Sequence, residues 1–150
     1  MSFSQGLLRV GETVVPPVIE VVKGKAAGSP WAILDSPPGT TCPVVETLRD
    51  VDFVVLVTEP TPFGMHDLQR VLDLADHFGV PAMVCINKFD ISPKLSNMIE
   101  EYCGERGIPV IGRIPFEPRV SDAQIAGLSL IEFAAVTERG SDRNRMRRRL

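Results

Sequence analysis

The chain is poor in cysteine. Cys42, Cys85 and Cys103 are its whole complement among 150 residues, and none stands in a Cys-x-x-Cys spacing. An odd, sparse set suggests reduced thiols, as in a cytoplasmic protein. Long apolar runs are missing too. Nowhere do about 18 apolar residues follow one another, so no membrane-spanning helix is expected. The first residues lack a basic stretch followed by an apolar core, so no secretory signal is expected. His66 and His77, the two histidines, lack the spacing of zinc ligands. Neither sign of charge dominates, since the formal net charge is −3, so no broad field draws the chain to nucleic acid or a lipid surface. What remains is an ordinary globular composition, 44% hydrophobic and 23% charged. A length of 150 residues suits one domain that buries about two thirds of its unfolded surface.

Apolar runs alternate with amphipathic ones. Trp31-Ala32-Ile33-Leu34 ends in Asp35 and then in the turn Ser36-Pro37-Pro38-Gly39-Thr40. A short apolar run bounded this way predicts a buried parallel strand. Residues 51–57 hold the strongest run, and Phe53-Val54-Val55-Leu56-Val57 is what a sheet covered on both faces requires. Further strands are expected at 80–86 and 109–114, with a short one at 3–10. A helix at 16–25 opens on Pro16-Pro17. Another, at 40–49, turns Val44, Val45 and Leu48 to one face. The helix at 65–78 points Leu68, Val71, Leu72 and Ala75 inward. Ser92 as cap and Pro93 as first residue start a helix to about 106. Leu95, Met98, Ile99 and Tyr102 or Cys103 form its inner face. Residues 121–126 and 128–136 read as helical. The tail at 140–150, with Arg143, Arg145, Arg147, Arg148 and Arg149, reads as solvated and lacks the apolar face of a membrane helix. The alternation predicts an α/β fold, a mostly parallel sheet with right-handed crossovers and helices on both faces.

Asp35 would stand at the carboxyl end of its strand, the edge where open α/β sheets bind ligands. A carboxylate there can hold Mg²⁺ beside a nucleotide's phosphates. Gly39 has no Cβ, so its N–H can approach a phosphate oxygen. About fifty residues on, a second strand ends in Asn87-Lys88-Phe89-Asp90. Asn-Lys-x-Asp is the pattern with which P-loop nucleotidases read a base. The Asp accepts from ring and exocyclic N–H groups, the Asn amide contacts the base or ties loops, and the Lys stem covers the base face. Cys42 falls near a helix start, where a thiolate is favoured; it reads as a packing or loop thiol, or as one ligand of a cluster that needs others.

The run from Asp35 to Val44, Asp-Ser-Pro-Pro-Gly-Thr-Thr-Cys-Pro-Val, resembles the Walker B and switch II segment of the MinD/ParA/Mrp class of P-loop ATPases. Val57-Thr58-Glu59-Pro60-Thr61-Pro62-Phe63-Gly64 resembles that class's next strand end, and Pro115-Phe116-Glu117-Pro118 its late nucleotide-side loop. With Leu7-Leu8-Arg9-Val10-Gly11-Glu12 upstream, the pattern is most similar to the C-terminal half of the MinD-like ATPases that carry an inserted ferredoxin domain. The resemblance spans roughly residues 5 to 133, and the chain reads as one domain, 1–139, followed by the basic tail, 140–150. It implies Mg-ATP binding and hydrolysis in the complete protein. Asp35 would hold the magnesium and Gly39 would sense the γ-phosphate. Asn87, Lys88 and Asp90 would contact the base, with Pro115 and Phe116 beside it. Phe116 suits a core position equally well.

One element of that family is missing. No Gly-Lys-Ser or Gly-Lys-Thr occurs, and Gly24-Lys25-Ala26 lacks the spacing and the hydroxyl. Without that loop there is no phosphate cradle and no Lys on the β and γ oxygens, so this chain alone is expected not to hydrolyse ATP. The family's first strand lies centrally in its sheet, so its loss exposes apolar edges that invite another chain. The expected partners are a nucleotide and a second copy or a chain carrying the P-loop half. Nucleic acid and membrane are not expected. Alternatives are a non-enzymatic docking module, an iron-sulfur assembly or redox accessory using Cys42 with a missing domain or partner, and a GTPase fragment.

Overall fold

A computed structural model describes residues 2–7 and 16–137. Its centre is an all-parallel three-stranded sheet in sequential order. β1 is Val54–Thr58, β2 is Ala82–Asn87 and β3 is Val110–Ile114. The helices are α1 (Pro16–Gly24), α2 (Cys42–Leu48), α3 (Pro62–His77), α4 (Pro93–Glu105) and α5 (Arg119–Ile125). A further helical segment is Leu130–Thr137. The α/β class and the parallel sheet are as the alternation predicts. Two compact units divide the chain, Met1–Ile114 and Pro115–Leu150.

β2 is central because both its neighbours pair with it. Val54, Leu56 and Thr58 lie opposite Ala82, Val84 and Ile86, while Cys85 and Asn87 lie opposite Gly112 and Ile114. Right-handed crossovers that step the same way along a sheet put their helices on one face. The core follows that rule: Leu68 and Leu72 of α3 and Ile99 and Cys103 of α4 meet Val84 and Ile86 in one buried cluster. Val55 and Val57 alternate to the opposite face, and Val57 is 65% exposed. The run Phe53-Val54-Val55-Leu56-Val57 is apolar on both faces, yet among the described residues Val54 and Leu56 are half-buried and Phe53, Val55 and Val57 exposed, so the cover expected on both faces is not there.

Local signals start and stop these helices. Thr61 Oγ1 accepts the Gly64 N–H at 2.9 Å and caps α3. Ser92 Oγ accepts the Leu95 N–H at α4, and Pro is in the first turn of both. In α1, the Lys23 ammonium donates to the carbonyls of Glu46 and Arg49 at the end of α2, where a cation meets the negative helix end. The buried stripe of α4 is Ser96, Ile99 and Cys103, turned by about one position from the face expected from Leu95 and Met98. Burial pushes the Cys103 thiol above its ordinary pKa.

Arg106 ends α4 and ties it to α3. Its guanidinium donates to Tyr102 Oη at 2.8 Å, Asp73 Oδ1 at 2.7 Å and Asp76 Oδ2 at 2.8 Å. Both aspartates are largely exposed, so solvent screens each pair, and the fork geometry is what raises their worth. Arg106→Ala is expected to lower stability by about 1 kcal/mol, and Arg106→Lys to recover less than half of it. Thermal melts check this, and an unchanged midpoint in the alanine variant would leave the cluster without a role.

Two sequence expectations fail here. Residues 31–35 form no strand, and Trp31 and Ile33 are 83% and 93% exposed. A parallel strand needs a neighbour to receive its N–H and C=O groups, and β1 pairs only with β2 among the described residues. Residues 3–7 also form no strand; residues 8–10 and the tail at 140–150 lie outside the described residues.

The second unit holds α5 and Leu130–Thr137. Glu117 accepts from the backbone N–H of Arg119 at 3.1 Å and from its Nη2 at 2.9 Å. The Arg119 hydrogen bond pulls the Glu117 carboxyl down to about 2. Ser129 and Glu132 form a reciprocal capping box, with Ser129 N–H to Glu132 Oε2 at 2.9 Å and Glu132 N–H to Ser129 Oγ at 3.3 Å. Among the described residues no single helix is long and apolar enough to cross a membrane; α5 and Leu130–Thr137, bent by 97°, pass that test only as a pair.

Candidate nucleotide-binding corner

All three strands run the same way, so their carboxyl ends share one edge of the sheet, where ligands of such folds gather. Two of the loops that leave it lie wholly within the first unit. The first leaves β1 as Thr58-Glu59-Pro60-Thr61. The second leaves β2 as Asn87-Lys88-Phe89-Asp90 and makes a short 3-10 turn, Phe89–Ile91.

The first loop is drawn tight by its own hydrogen bonds. Thr58 is buried, and its Oγ1–H donates to the Gly64 carbonyl at 3.0 Å. The Thr61 N–H donates to the Glu59 carbonyl at 2.8 Å. Gly64 passes directly over that carbonyl: a Cβ built there would overlap Glu59 O and stand 3.1 Å from each threonine Oγ1. Only glycine fits this approach.

The second loop is held from three sides. Lys88 adopts a left-handed backbone, φ 53°, a conformation that costs a non-glycine residue energy unless its surroundings hold it. Its Nζ reaches Glu59 Oε1 at 2.7 Å, linking the ends of β1 and β2. The buried Ser96 hydroxyl of α4 donates to the Phe89 carbonyl at 2.6 Å. From β3, the Arg113 guanidinium lies 5.9 Å from the centre of the Phe89 ring, and it forms a forked pair with Glu100. A planar cation over an aromatic face is attractive. Sequence reasoning singled out none of Glu59, Ser96, Glu100 and Arg113 for a role at this loop. Only Glu59 gave a hint, as a charge placed immediately after a strand; the others are brought in by the tertiary fold.

The remaining candidates belong to other segments of the chain. Asp35 is exposed in a segment without regular structure, and Gly39 has φ 91°, which suits glycine alone. Cys42 is exposed at the first residue of α2. Pro115 and Phe116, both exposed, begin the second unit. Among the described residues no three or more His, Cys, Asp or Glu side chains gather in a metal-binding group. Magnesium at a nucleotide usually takes one or two carboxylates and fills its shell with phosphate oxygens and water; Asp35 offers one exposed carboxylate.

No family model matches the chain. Over 101 residues it is 30% identical to an uncharacterized protein of Methanocaldococcus jannaschii, covering 67% of this chain and 33% of that protein. It is 28% identical over 125 residues to the cytosolic Fe-S cluster assembly factor Nubp1 homolog of Drosophila melanogaster, covering 70% and 40%. It is 22% identical over 114 residues to an uncharacterized ATP-binding protein of M. jannaschii, covering 74% and 44%. The chain thus spans between a third and under half of the length of these relatives.

Proposed function

We propose that this chain is a nucleotide-binding portion of a MinD-like P-loop ATPase and that the loop after β2 reads the base. One observation carries the reading: Asn87-Lys88-Phe89-Asp90 closes the carboxyl end of the central strand of an all-parallel sheet, held there by Glu59, Ser96 and Arg113. The similarity to a protein described as ATP-binding supports it. In this reading Asn87 and Asp90 hydrogen-bond the base, and the Lys88 stem lies along its face. Asp35 holds Mg²⁺, and the Gly39 amide faces the γ-phosphate. The open edge of β1 receives the strand that carries the phosphate loop, and residues 31–35 join the sheet beyond it.

Titration of the purified chain with ATP and with GTP tests this. Weak binding that favours ATP is expected; Asp90→Ala should reduce it by about tenfold, the worth of a hydrogen bond with a charged partner, and Asn87→Ala, which removes a neutral one, by about threefold. Equal binding by wild type and both variants would remove the loop from base reading. ATP turnover by the chain alone, lost on Asp35→Ala, would overturn the expectation of inactivity.

A second reading, iron-sulfur assembly, is favoured by the similarity to a protein described as an Fe-S cluster assembly factor and by the exposed Cys42. One cysteine does not hold a cluster, so further ligands would come from a second chain. Protein purified without oxygen that is colourless and free of iron would end this reading.

A further inference from the structure

Glu59 lies outside the four-residue motif, yet it makes the ion pair that joins the two loops. We propose that Glu59 is a positioning residue: by holding Lys88 it fixes the left-handed turn from which the Asn87–Asp90 loop addresses its ligand. The inference rests on the base-reading role given to that loop above.

Lys88 Nζ and Glu59 Oε1 are 2.7 Å apart, with both side chains about two fifths exposed. A lysine stem is flexible and its ammonium is a point charge, so an untethered Lys88 would sample many rotamers. Tied to Glu59, its stem is drawn from the end of β2 toward the end of β1. Glu59 is itself set firmly. Its carbonyl accepts from Thr61 and lies beneath Gly64, so the carboxylate projects from a fixed backbone. The pair also neutralises Lys88, which suits a corner that receives an uncharged heterocycle better than one that receives a phosphate. Lys88 begins the 3-10 turn, and its carbonyl accepts the Ile91 N–H at 3.1 Å. Opening of this turn is therefore read at one amide.

Hydrogen exchange at the Ile91 amide, together with ATP affinity, tests the role. Glu59→Gln, which keeps the shape and removes the charge, is expected to speed Ile91 exchange by about two- to fivefold, the range that exposed ion pairs give. ATP affinity should fall by a similar factor. The charge-swapped double variant, Glu59→Lys with Lys88→Glu, should return Ile91 exchange toward the wild-type rate. The Val84 amide, in the buried central strand, donates to the Pro109 carbonyl at 2.9 Å; it reports on the fold as a whole and should not change. Unchanged Ile91 exchange in Glu59→Gln, or equal acceleration at Ile91 and Val84, overturns the proposal. If the wild type binds ATP and Glu59→Gln binds it equally well, the proposal is also overturned. If the wild type binds no ATP, the base-reading role fails, and the exchange comparison alone then decides whether Glu59 positions the loop.

Discussion

Alanine at position 64 is expected to destabilise the protein by about 3 kcal/mol and to lower its melting temperature by on the order of 10 °C. The added methyl group meets the Glu59 carbonyl well inside contact distance, with the Thr58 and Thr61 hydroxyls 3.1 Å away. A flexible side chain would swing aside; a backbone carbonyl in a turn closed by Thr61 N–H has nowhere to go. Relief requires parting β1 from the start of α3, and this breaks the Thr58 Oγ1 bond to Gly64 O and the Thr61 cap. A lost cap alone is worth about 1 kcal/mol. Gly104 in α4 supplies the control, because a Cβ there meets nothing within 4 Å. Gly104→Ala should stabilise by about 0.5–1 kcal/mol through better helix propensity. If the Gly64 and Gly104 variants melt alike, the tight loop after β1 is not the constraint described. Because the same carbonyl belongs to Glu59, Gly64→Ala should also disturb the Lys88 pair, so its effect on exchange at Ile91 should exceed that of Glu59→Gln.

The elements that sequence reasoning placed well are those specified within a few residues. Ser92 and Pro93 announce α4, and the apolar period of α3 puts Leu68, Leu72 and Ala75 on the buried face. The central strand is apolar from Ala82 to Ile86 and has a partner on each side, so pattern and surroundings agree. Trp31-Ala32-Ile33-Leu34 carries the same kind of pattern and forms no strand. Its apolarity states a need for burial, whereas strand formation also requires an edge to pair with, and no local pattern encodes the neighbour. The same gap separates motif from site. Asn87-Lys88-Phe89-Asp90 is legible as four letters, but Glu59 lies 29 positions before Lys88, and Glu100 and Arg113 are 13 apart. Only the fold brings these side chains together. In α4, the face is shifted by a polar residue that an apolar count ignores: Ser96 turns inward to reach the Phe89 carbonyl, and Met98 is left 43% exposed.

That shift makes α4 the place where core and loop are best separated by mutation. Ile99 is fully buried between α4 and the sheet, in contact with the cluster around Val84, Ile86 and Leu72. Ile99→Ala removes its buried methyl groups and leaves a cavity that close-packed neighbours fill only in part. The expected loss is about 3–4 kcal/mol, read as a lower urea midpoint with an unchanged slope. Met98→Ala, one residue away on the outer face, should change stability by about 0.5 kcal/mol or less beyond the propensity term. Ser96→Ala should fall between them, near 1–2 kcal/mol, because it leaves the Phe89 carbonyl without its buried donor. Its distinguishing mark is local: faster exchange at Ile91 than its loss of global stability accounts for. Ile99→Ala should show no such excess, since its side chain supports the helix and not the turn. A midpoint for Ile99→Ala close to that of Met98→Ala would mean that the stripe Ser96, Ile99 and Cys103 is not the face on which α4 packs, and the tether from Ser96 to the loop would go with it.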